Sequence, residues 1–304
     1  MLWGVPIWIY LWSAGMAGGA YFAGFLVNVF GGWKHRTLFR LSILAGVPLA
    51  TIGVLCLLFD LGTPIWIWHF FVNFDPLATI SMATWILTFW MIVCSILIVT
   101  WIIEWDAEKN PAKYSGDMAG RIGKIAKFFG WIGFFLSILM AGYTGVLLAS
   151  TSQPLWANTL LLPALFVASA ISTGIALLVL IGFAVNAMTT RISISSKIIG
   201  RLAEADAVVI VIELLTLIGY AVWLAASGDA GSEALSSLIS GELAILFWVG
   251  FALLALLLPF VLDIFNWGKR IEQKSVAWAI GISALSVIVG GFILRAVITI
   301  GGQL

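Results

Sequence analysis

Eight long apolar stretches, which we call spans one to eight, dominate this sequence. They cover about residues 7–31, 40–62, 77–103, 127–149, 162–186, 203–226, 242–265 and 276–300. Each is about as long as an α-helix must be to cross the hydrocarbon core of a bilayer. Of the 304 residues, 62% are hydrophobic and only 10% are charged, which excludes an ordinary water-soluble protein. We therefore predict an all-α membrane protein in which residues 1–304 form a single domain, a bundle of eight transmembrane helices.

The basic residues lie in alternate connections between these spans. Fourteen of the 15 Lys and Arg residues follow span one, three, five or seven: Lys34, Arg36, Arg40, Lys109, Lys113, Arg121, Lys124, Lys127, Arg191, Lys197, Arg201, Lys269, Arg270 and Lys274. Short basic connections face the cytoplasm in multi-pass proteins. We therefore expect both termini on the outer, periplasmic side. The opening sequence MLWGVPIWIY has no basic region ahead of its apolar residues, so we expect no signal peptide.

Small residues crowd span one, in the stretch SAGMAGGAYFAG. Gly15 and Gly19 form a GxxxG pair, a spacing that lets two helix backbones approach closely. Close helix packing is one interpretation of this stretch, and room for a flat ligand beside the helix is the other.

The few metal-binding side chains are badly placed for a cofactor. A transmembrane b-type haem usually needs two histidines that face each other, whereas His35 and His69, the 2 histidines, lie in connections on opposite sides of the predicted bundle. The 2 cysteines, Cys56 and Cys94, are too few for an iron–sulfur cluster, which needs about four ligands. We expect neither haem nor an iron–sulfur cluster nor another metal in this protein.

Polar residues gather at the predicted outer ends of spans two and four. The connection FDLGTPIWIWHFFVNFDPL holds Asp60, His69, Asn73 and Asp75, and span four ends with MAGYTGVLLAS, which places Tyr143 a turn or two below the surface. Arg295 in span eight is the one basic residue outside the basic connections, roughly 28 Å along its helix and so near the outer face. A surface-reaching side chain, an ion pair with Asp60 or with Glu242, and a contact to a ligand all remain open for it.

Span six carries carboxyl groups inside an apolar helix, in the stretch EADAVVIVIEL. Asp206, Glu213 and Tyr220 are seven residues apart and share a helix face, with Thr216 one turn past Glu213. A carboxylate in mid-bilayer costs about 2.5 kcal/mol or more, so Glu213 must face the bundle and be paired or protonated. It is either a neutral, hydrogen-bonded structural group or part of a proton relay formed by these four residues. Glu204 points elsewhere and is expected at the interface.

Five motifs in sequence order resemble the membrane subunit of polysulfide reductase and its relatives, the NrfD-like family. They are YLWSAGMAGGAYF, DLGTPIWIW, GYTGVLLASTSQPLW, LPALFVASAISTG and GGFILRAVITIGGQ. The resemblance implies a haem-free subunit in the cytoplasmic (inner) membrane of a prokaryote that handles a quinone, either menaquinone or ubiquinone. It also implies a four-cluster ferredoxin-like iron–sulfur partner and, through it, a catalytic subunit that is often a molybdopterin enzyme. In that family the quinone lies near the outer face.

At some site positions this sequence carries the family's residues, and at others it departs from the family's motifs. Tyr143, Asp60 and Arg295 match family positions, and the family's Tyr contacts the quinone head group. The outer half of span one lacks the Asn and His of the polysulfide reductase type; Ser13 is the nearest polar side chain, and Asn28 lies too close to the cytoplasm. Thr63 replaces the family's usual Arg, so the quinone contacts differ, and His69 is a candidate for the missing imidazole.

Three functions of different classes fit these features. The leading one is a quinone/quinol-interacting subunit of a respiratory oxidoreductase, active only within its complex and passing electrons to or from the iron–sulfur partner. A secondary transporter would show broken helices in corresponding halves, and Pro48, Pro163 and Pro259 form no symmetric pattern. A purely structural anchor would have no need of the carboxyl groups in span six.

Overall fold

A computed structural model describes residues 3–60, 62, 68–72, 75, 78–110, 116–151, 153–156, 159–188, 193–269 and 273–303. Thr63, Asn73, Lys113, Arg191 and Arg270 lie outside the described residues. The described elements are helices: α1 Val5–Phe30, α2 Arg36–Asp60, α3 His69–Val72, α4 Thr79–Lys109, α5 Gly116–Ala149, α6 Leu161–Met188, α7 Ser196–Ala226, α8 Asp229–Ile239, the π-helix π1 Leu246–Leu257, α9 Leu258–Phe265 and α10 Lys274–Gly301.

Eight helices of this structure are long and apolar enough to cross a membrane, which confirms the predicted all-α protein with eight spans. Spans one to eight correspond to α1, α2, α4, α5, α6, α7, the continuous pair π1 and α9, and α10. The backbone N–H of Trp3 donates to Oε1 of Gln303 at 2.6 Å, so both ends of the chain meet. We call this the terminal end of the bundle, and the end with the Lys- and Arg-rich connections the basic end. That the terminal end faces outward stays a prediction.

Three local elements differ from uniform α-helical spans. The short helices α3 and α8 lie in connections at the terminal end, and twelve residues of span seven form the π-helix π1. Pro259 follows π1 directly, in the first turn of α9. Proline has no backbone N–H and its ring crowds the preceding turn, so the α-helical hydrogen-bond ladder is interrupted there and the wider π turns fit.

Helix α1 is the central element, because it packs against α2, α5, α6 and α10. The α1–α6 contact brings backbones together: a Cβ added to Gly19 would overlap the carbonyl group of Ala170, and one added to Gly174 would overlap Gly19. Gly19 therefore serves close helix packing, the first of the two interpretations given for this stretch. The spans form a first group of α1, α2, α4 and α5 and a second group of α6, α7, π1–α9 and α10, which meet through α1, α5, α6 and α10.

Candidate functional site

A large apolar cavity lies within the first group of helices. Its volume is about 900 Å³, and its walls come mainly from α1, α2 and α4. Wall residues on α4 include Ile80 and Val99, whose side chains are 51% and 53% exposed. The cavity is therefore open sideways, toward the space that lipid occupies around a membrane protein. At the basic end an ion pair joins α2 and α4, with Arg40 Nη2 at 2.6 Å from Glu104 Oε2.

A pair of buried tyrosines reaches the cavity's inner wall through one of its members. Tyr10 of α1 lines the cavity, and its hydroxyl lies 2.7 Å from the hydroxyl of Tyr143 of α5. The absence of a side chain at Gly53 lets α2 approach this turn of α1, since a Cβ there would stand only 2.5 Å from Ser13 Oγ. Each phenol has one proton to donate, so one bond between the two leaves one O–H free for a third group. Sequence reasoning missed Tyr10, although a tyrosine in WIYLWSAG near the end of span one was a usable signal.

The other residues predicted for the outer site lie at different distances from this cavity. Asp60, the last residue of α2, lines it. His69 begins α3 and stacks on Trp68 with ring centroids 3.8 Å apart, while its neighbour Phe71 reaches the cavity wall. Ser13 is buried, and its hydroxyl donates to the backbone carbonyl of Tyr10 at 3.3 Å, so it supports the tyrosine's helix turn.

Arg295 lies in the interior of the bundle, away from the cavity lining. Its side chain is fully buried, and Nη1 donates to Ser169 Oγ at 2.7 Å and to the Gly291 carbonyl at 2.8 Å. Gly15 of α1 makes room for the guanidinium group, because a Cβ there would stand 3.1 Å from Nη2. Of the three alternatives left open for Arg295, the buried position therefore excludes a surface-reaching side chain, and no ion pair joins it to Asp60 or Glu242; a ligand contact stays a prediction. The reason is packing: α10 faces α1, α6, π1 and α9, so this face of its outer half is enclosed.

Three buried carboxyl groups line up between the helices of the second group. Glu213 lies beside Ser169 of α6 and in electrostatic range of Arg295. Asp206, further toward the basic end, lies beside Ser172 and in electrostatic range of Asp263 of α9. All three carboxyl side chains are 3% exposed. We call the carboxyl groups with Arg295 and their serine neighbours, including Ser283 beside Asp263, the polar column.

Two predicted members of the relay make other contacts. The hydroxyl of Thr216, on a partly exposed side chain, donates to the carbonyl of Ile212 in its own helix at 2.7 Å. Tyr220 is buried, and its hydroxyl donates to the carbonyl of Leu155, between α5 and α6. Glu204 accepts a hydrogen bond from the backbone of Gly268 at 3.0 Å, at the basic end where it was expected.

Several polar atoms of the column have no hydrogen-bond partner among the described residues. They are Ser172 Oγ, Asp206 Oδ1, Asp263 Oδ1, Arg295 Nε and Arg295 Nη2. Buried polar atoms are almost always satisfied, by protein or by internal water. Asp263 was not singled out from the sequence, although an acid in PFVLDIF, inside span seven, was as strong a signal as those in span six. Among the described residues, no group of three or more His, Cys, Asp or Glu could hold a metal ion.

Comparison with known proteins identifies the family. Residues 1–304 match the family described as "Polysulphide reductase, NrfD". The sequence is 30% identical to the C chain of polysulfide reductase of Wolinella succinogenes over 311 residues, covering 100% of this protein and 95% of that one. It is 27% identical to protein NrfD of Escherichia coli over 316 residues, covering 100% of this protein and 96% of that one. These bacterial relatives and the eight apolar helices support a multi-pass membrane protein of a prokaryote. The protein therefore belongs to the NrfD/polysulphide reductase family of membrane subunits.

Proposed function

We propose that this protein is the haem-free, quinone-interacting membrane subunit of a respiratory oxidoreductase complex in a prokaryotic inner membrane. The quinone head group would bind at the terminal end of the cavity, between Tyr10 and Asp60. The observation that carries this proposal is the Tyr10–Tyr143 hydroxyl pair, because Tyr10 lies in the wall of an apolar cavity that opens toward lipid.

The shape of the cavity suits a quinone with a long isoprenoid tail. Small-molecule sites in proteins typically measure about 300–1,000 Å³ and are mostly apolar with few polar groups, and this cavity of about 900 Å³ fits that description. Its α4 wall extends from Ile80 to Thr100, about 30 Å along the helix axis. That length accommodates a tail lying along α4 while the ring stays at the terminal end, and the sideways opening allows exchange with the membrane.

The protein's own residues would position the ring and handle protons there. The quinone supplies the redox chemistry when bound, and its reduction consumes protons. With Tyr143 donating to Tyr10, the Tyr10 hydroxyl in the cavity wall keeps its proton for a quinone oxygen, and Asp60 provides a carboxyl group at the same end. In this proposal His69 completes the rim from α3, and Ser13 holds the helix turn that carries Tyr10.

We further propose that the polar column relays protons from the basic end. Asp206 and Glu213 would pass them along the α6–α7 interface, helped by Ser172 and Ser169. Arg295 would then act from inside the column, next to Gly15 of α1, rather than beside the quinone. Thr216 and Tyr220, predicted members of this relay, would have secondary roles because their hydroxyls already donate to backbone carbonyls.

The proposed partner is an iron–sulfur subunit with four clusters, which would dock at the terminal end and connect to a catalytic, often molybdopterin-containing, subunit. The name of the Wolinella succinogenes relative itself denotes one of several chains of an enzyme, polysulfide reductase. Docking at the terminal end would bring the partner's clusters near the tyrosine pair, which shortens the path for electrons.

The test is a comparison of three Tyr→Phe variants in the purified complex, because each removes one hydroxyl and keeps the ring. A hydrogen bond to a group that gains charge is worth about 1.5–3 kcal/mol, so Tyr143→Phe and Tyr10→Phe should lower quinone-linked turnover roughly ten- to hundredfold. The control is Tyr21→Phe, a buried tyrosine whose hydroxyl donates to the Gly130 carbonyl and which does not line the cavity.

Equal turnover in all four proteins would remove the quinone role from the tyrosine pair. Turnover with an artificial electron donor that bypasses the quinone should stay unchanged in every variant, which separates a lost site from a lost complex. A uniform loss in all three variants would instead indicate assembly defects and favour a structural anchor.

A further inference from the structure

The carboxyl groups of the second helix group outnumber the basic groups that could neutralise them. Asp206, Glu213 and Asp263 are buried there, and Arg295 is the one buried basic side chain among the described residues of these helices. A buried charge without a partner is very costly. Arg295 can compensate one carboxylate, and Glu213 is the carboxyl group in its electrostatic range. Within the described part of the protein, Asp206 and Asp263 are therefore left without a buried compensating cation.

Asp206 of α7 and Asp263 of α9 are buried on two helices that pack against each other, and Asp263 is in electrostatic range of Asp206. Each has a serine from a third helix beside it, Ser172 of α6 for Asp206 and Ser283 of α10 for Asp263. Asp206 Oδ1, Asp263 Oδ1 and Ser172 Oγ are all buried and have no partner among the described residues. Ser172 has one hydroxyl proton to offer beside Asp206. The remaining carboxyl oxygens of Asp206 and Asp263 have no donor among the described residues, and two neighbouring buried carboxyl groups are stable only when at least one of them is protonated.

The surroundings of the pair are otherwise short of charge. Helix α6 contributes serines but no acidic or basic side chain between Leu161 and Met188. On α7 the nearest ionisable neighbours are Glu213 toward the terminal end and Glu204 and Arg201 toward the basic end. On α10 they are Arg295 and the exposed Lys274 at the helix start. Of these groups, Arg201, Glu204 and Lys274 lie near the basic end, where the aqueous phase is expected to begin.

We propose that Asp206 and Asp263 form a proton-binding pair that exchanges protons with the basic end through Asp263. Asp263 is two residues from the end of α9, which is followed by the connection carrying Lys269. It is thus the carboxyl group of the column with the shortest path to that end. One proton entering from water neutralises Asp263, moves to Asp206 and leaves Asp263 free to take up another. The pair would be a proton store on the basic side, and it does not depend on a quinone occupying the cavity.

Infrared titration of the full-length protein in lipid bilayers tests this pair. The carbonyl stretch of a buried carboxylic acid is measured against pH, without added quinone, in the wild type and in Asp206→Asn and Asp263→Asn. Two interacting carboxyl groups lose their protons in two coupled steps. Each variant should lose the carbonyl-stretch band of the carboxyl group that was replaced. The remaining carboxyl group should then titrate in a single step, displaced by about one pH unit or more from both wild-type steps. Asp229→Asn, an exposed carboxyl group on α8, should change neither step.

Hydrogen–deuterium exchange in the same samples tests the direction of access. If Asp263 is the entrance, Asp263→Asn should slow deuteration of the Asp206 carboxyl group about a hundredfold, the size of effect that a positioned proton carrier commonly has. Asp206→Asn should leave the deuteration rate of Asp263 unchanged. Ser283→Ala, which removes only the hydroxyl beside Asp263 and keeps both acids, should shift both coupled steps while both carboxyl bands remain, and it serves if an Asn variant does not fold.

Three results would overturn the proposal. The first is an unchanged second step in each Asn variant, which would make the two groups independent. The second is a wild type without a protonated buried carboxyl band. The third is a titration that moves with sodium concentration at constant ionic strength, which would identify a cation site instead. Quinone affinity, measured in parallel, should be equal in all these proteins, so failure of the quinone proposal is recognised separately.

Discussion

At the scale of single residues, the least expected feature is a fully buried arginine whose guanidinium group is only partly hydrogen-bonded. Arg295 Nη1 has two acceptors, whereas Nε and Nη2 have no partner among the described residues. Its electrostatic partner is Glu213. The two side chains are not within ion-pair distance, so the guanidinium group stabilises Glu213 from further away and also satisfies Ser169 and the Gly291 carbonyl. Leaving such buried groups unsatisfied costs about 1–3 kcal/mol.

The prediction is that Arg295→Gln lowers the stability of the folded protein by about that amount, and that Arg295→Gln with Glu213→Gln recovers part of the loss. Thermal unfolding of the detergent-solubilised protein measures both. The control is Arg36→Gln, because Arg36 is exposed and its ion pair with Glu104 is long, at 3.7 Å; such pairs contribute about 0–1 kcal/mol. A double variant less stable than Arg295→Gln alone would show that the two groups do not compensate each other.

The sequence predicted which of these residues share a helix face, but it did not predict which residues of other helices they contact. The spacing of Asp206, Glu213 and Tyr220 is enough to place them on one face of α7, because helical periodicity is local. Which helix that face meets depends on packing between distant segments. For that reason Ser169, Ser172 and Asp263 were missed, and Arg295 was expected at a surface that the fold encloses.

At the scale of the elements, backbone contact between α1 and α6 sets how the two helix groups meet. Gly19→Ala would place a Cβ against the carbonyl of Ala170, and backbone cannot move aside as a flexible side chain can. Overpacking of this kind costs about 1–3 kcal/mol. Gly281→Ala in α10 is the matched control, since an added Cβ there meets nothing within 4 Å.

We therefore expect Gly19→Ala to lower the unfolding temperature and Gly281→Ala to leave it unchanged or slightly higher, as alanine favours a helix by up to about 1 kcal/mol. Equal unfolding temperatures would mean that the two helices separate without penalty.

Span lengths and the number of spans were predictable because apolar length alone determines them. The π-helix and α8 were not, because both depend on how a short segment packs against neighbouring helices.

At the scale of the whole molecule, the direction of the bundle in the membrane decides which compartment supplies the protons. The positions of the Lys and Arg residues predict that the basic end is cytoplasmic. A topology reporter fused after Arg201 should therefore report the cytoplasm, and one fused after Gly231 should report the exterior. The reverse pattern would place the tyrosine pair and Asp60 on the cytoplasmic side and exclude an outer iron–sulfur partner.

The central claim, a quinone in the cavity of the first helix group, is tested most directly by mapping where a photoreactive menaquinone analogue attaches to the intact complex. We predict labelled peptides from Val5–Phe30, Arg36–Asp60 and Thr79–Lys109, reduced by excess unlabelled quinone and by Ala83→Phe, which would fill the cavity from its α4 wall. Ala221→Phe, in a separate apolar groove of about 380 Å³ between α7 and π1, should leave that labelling unchanged. Competed labelling confined to α7 and π1, with none on the cavity helices, would contradict the account.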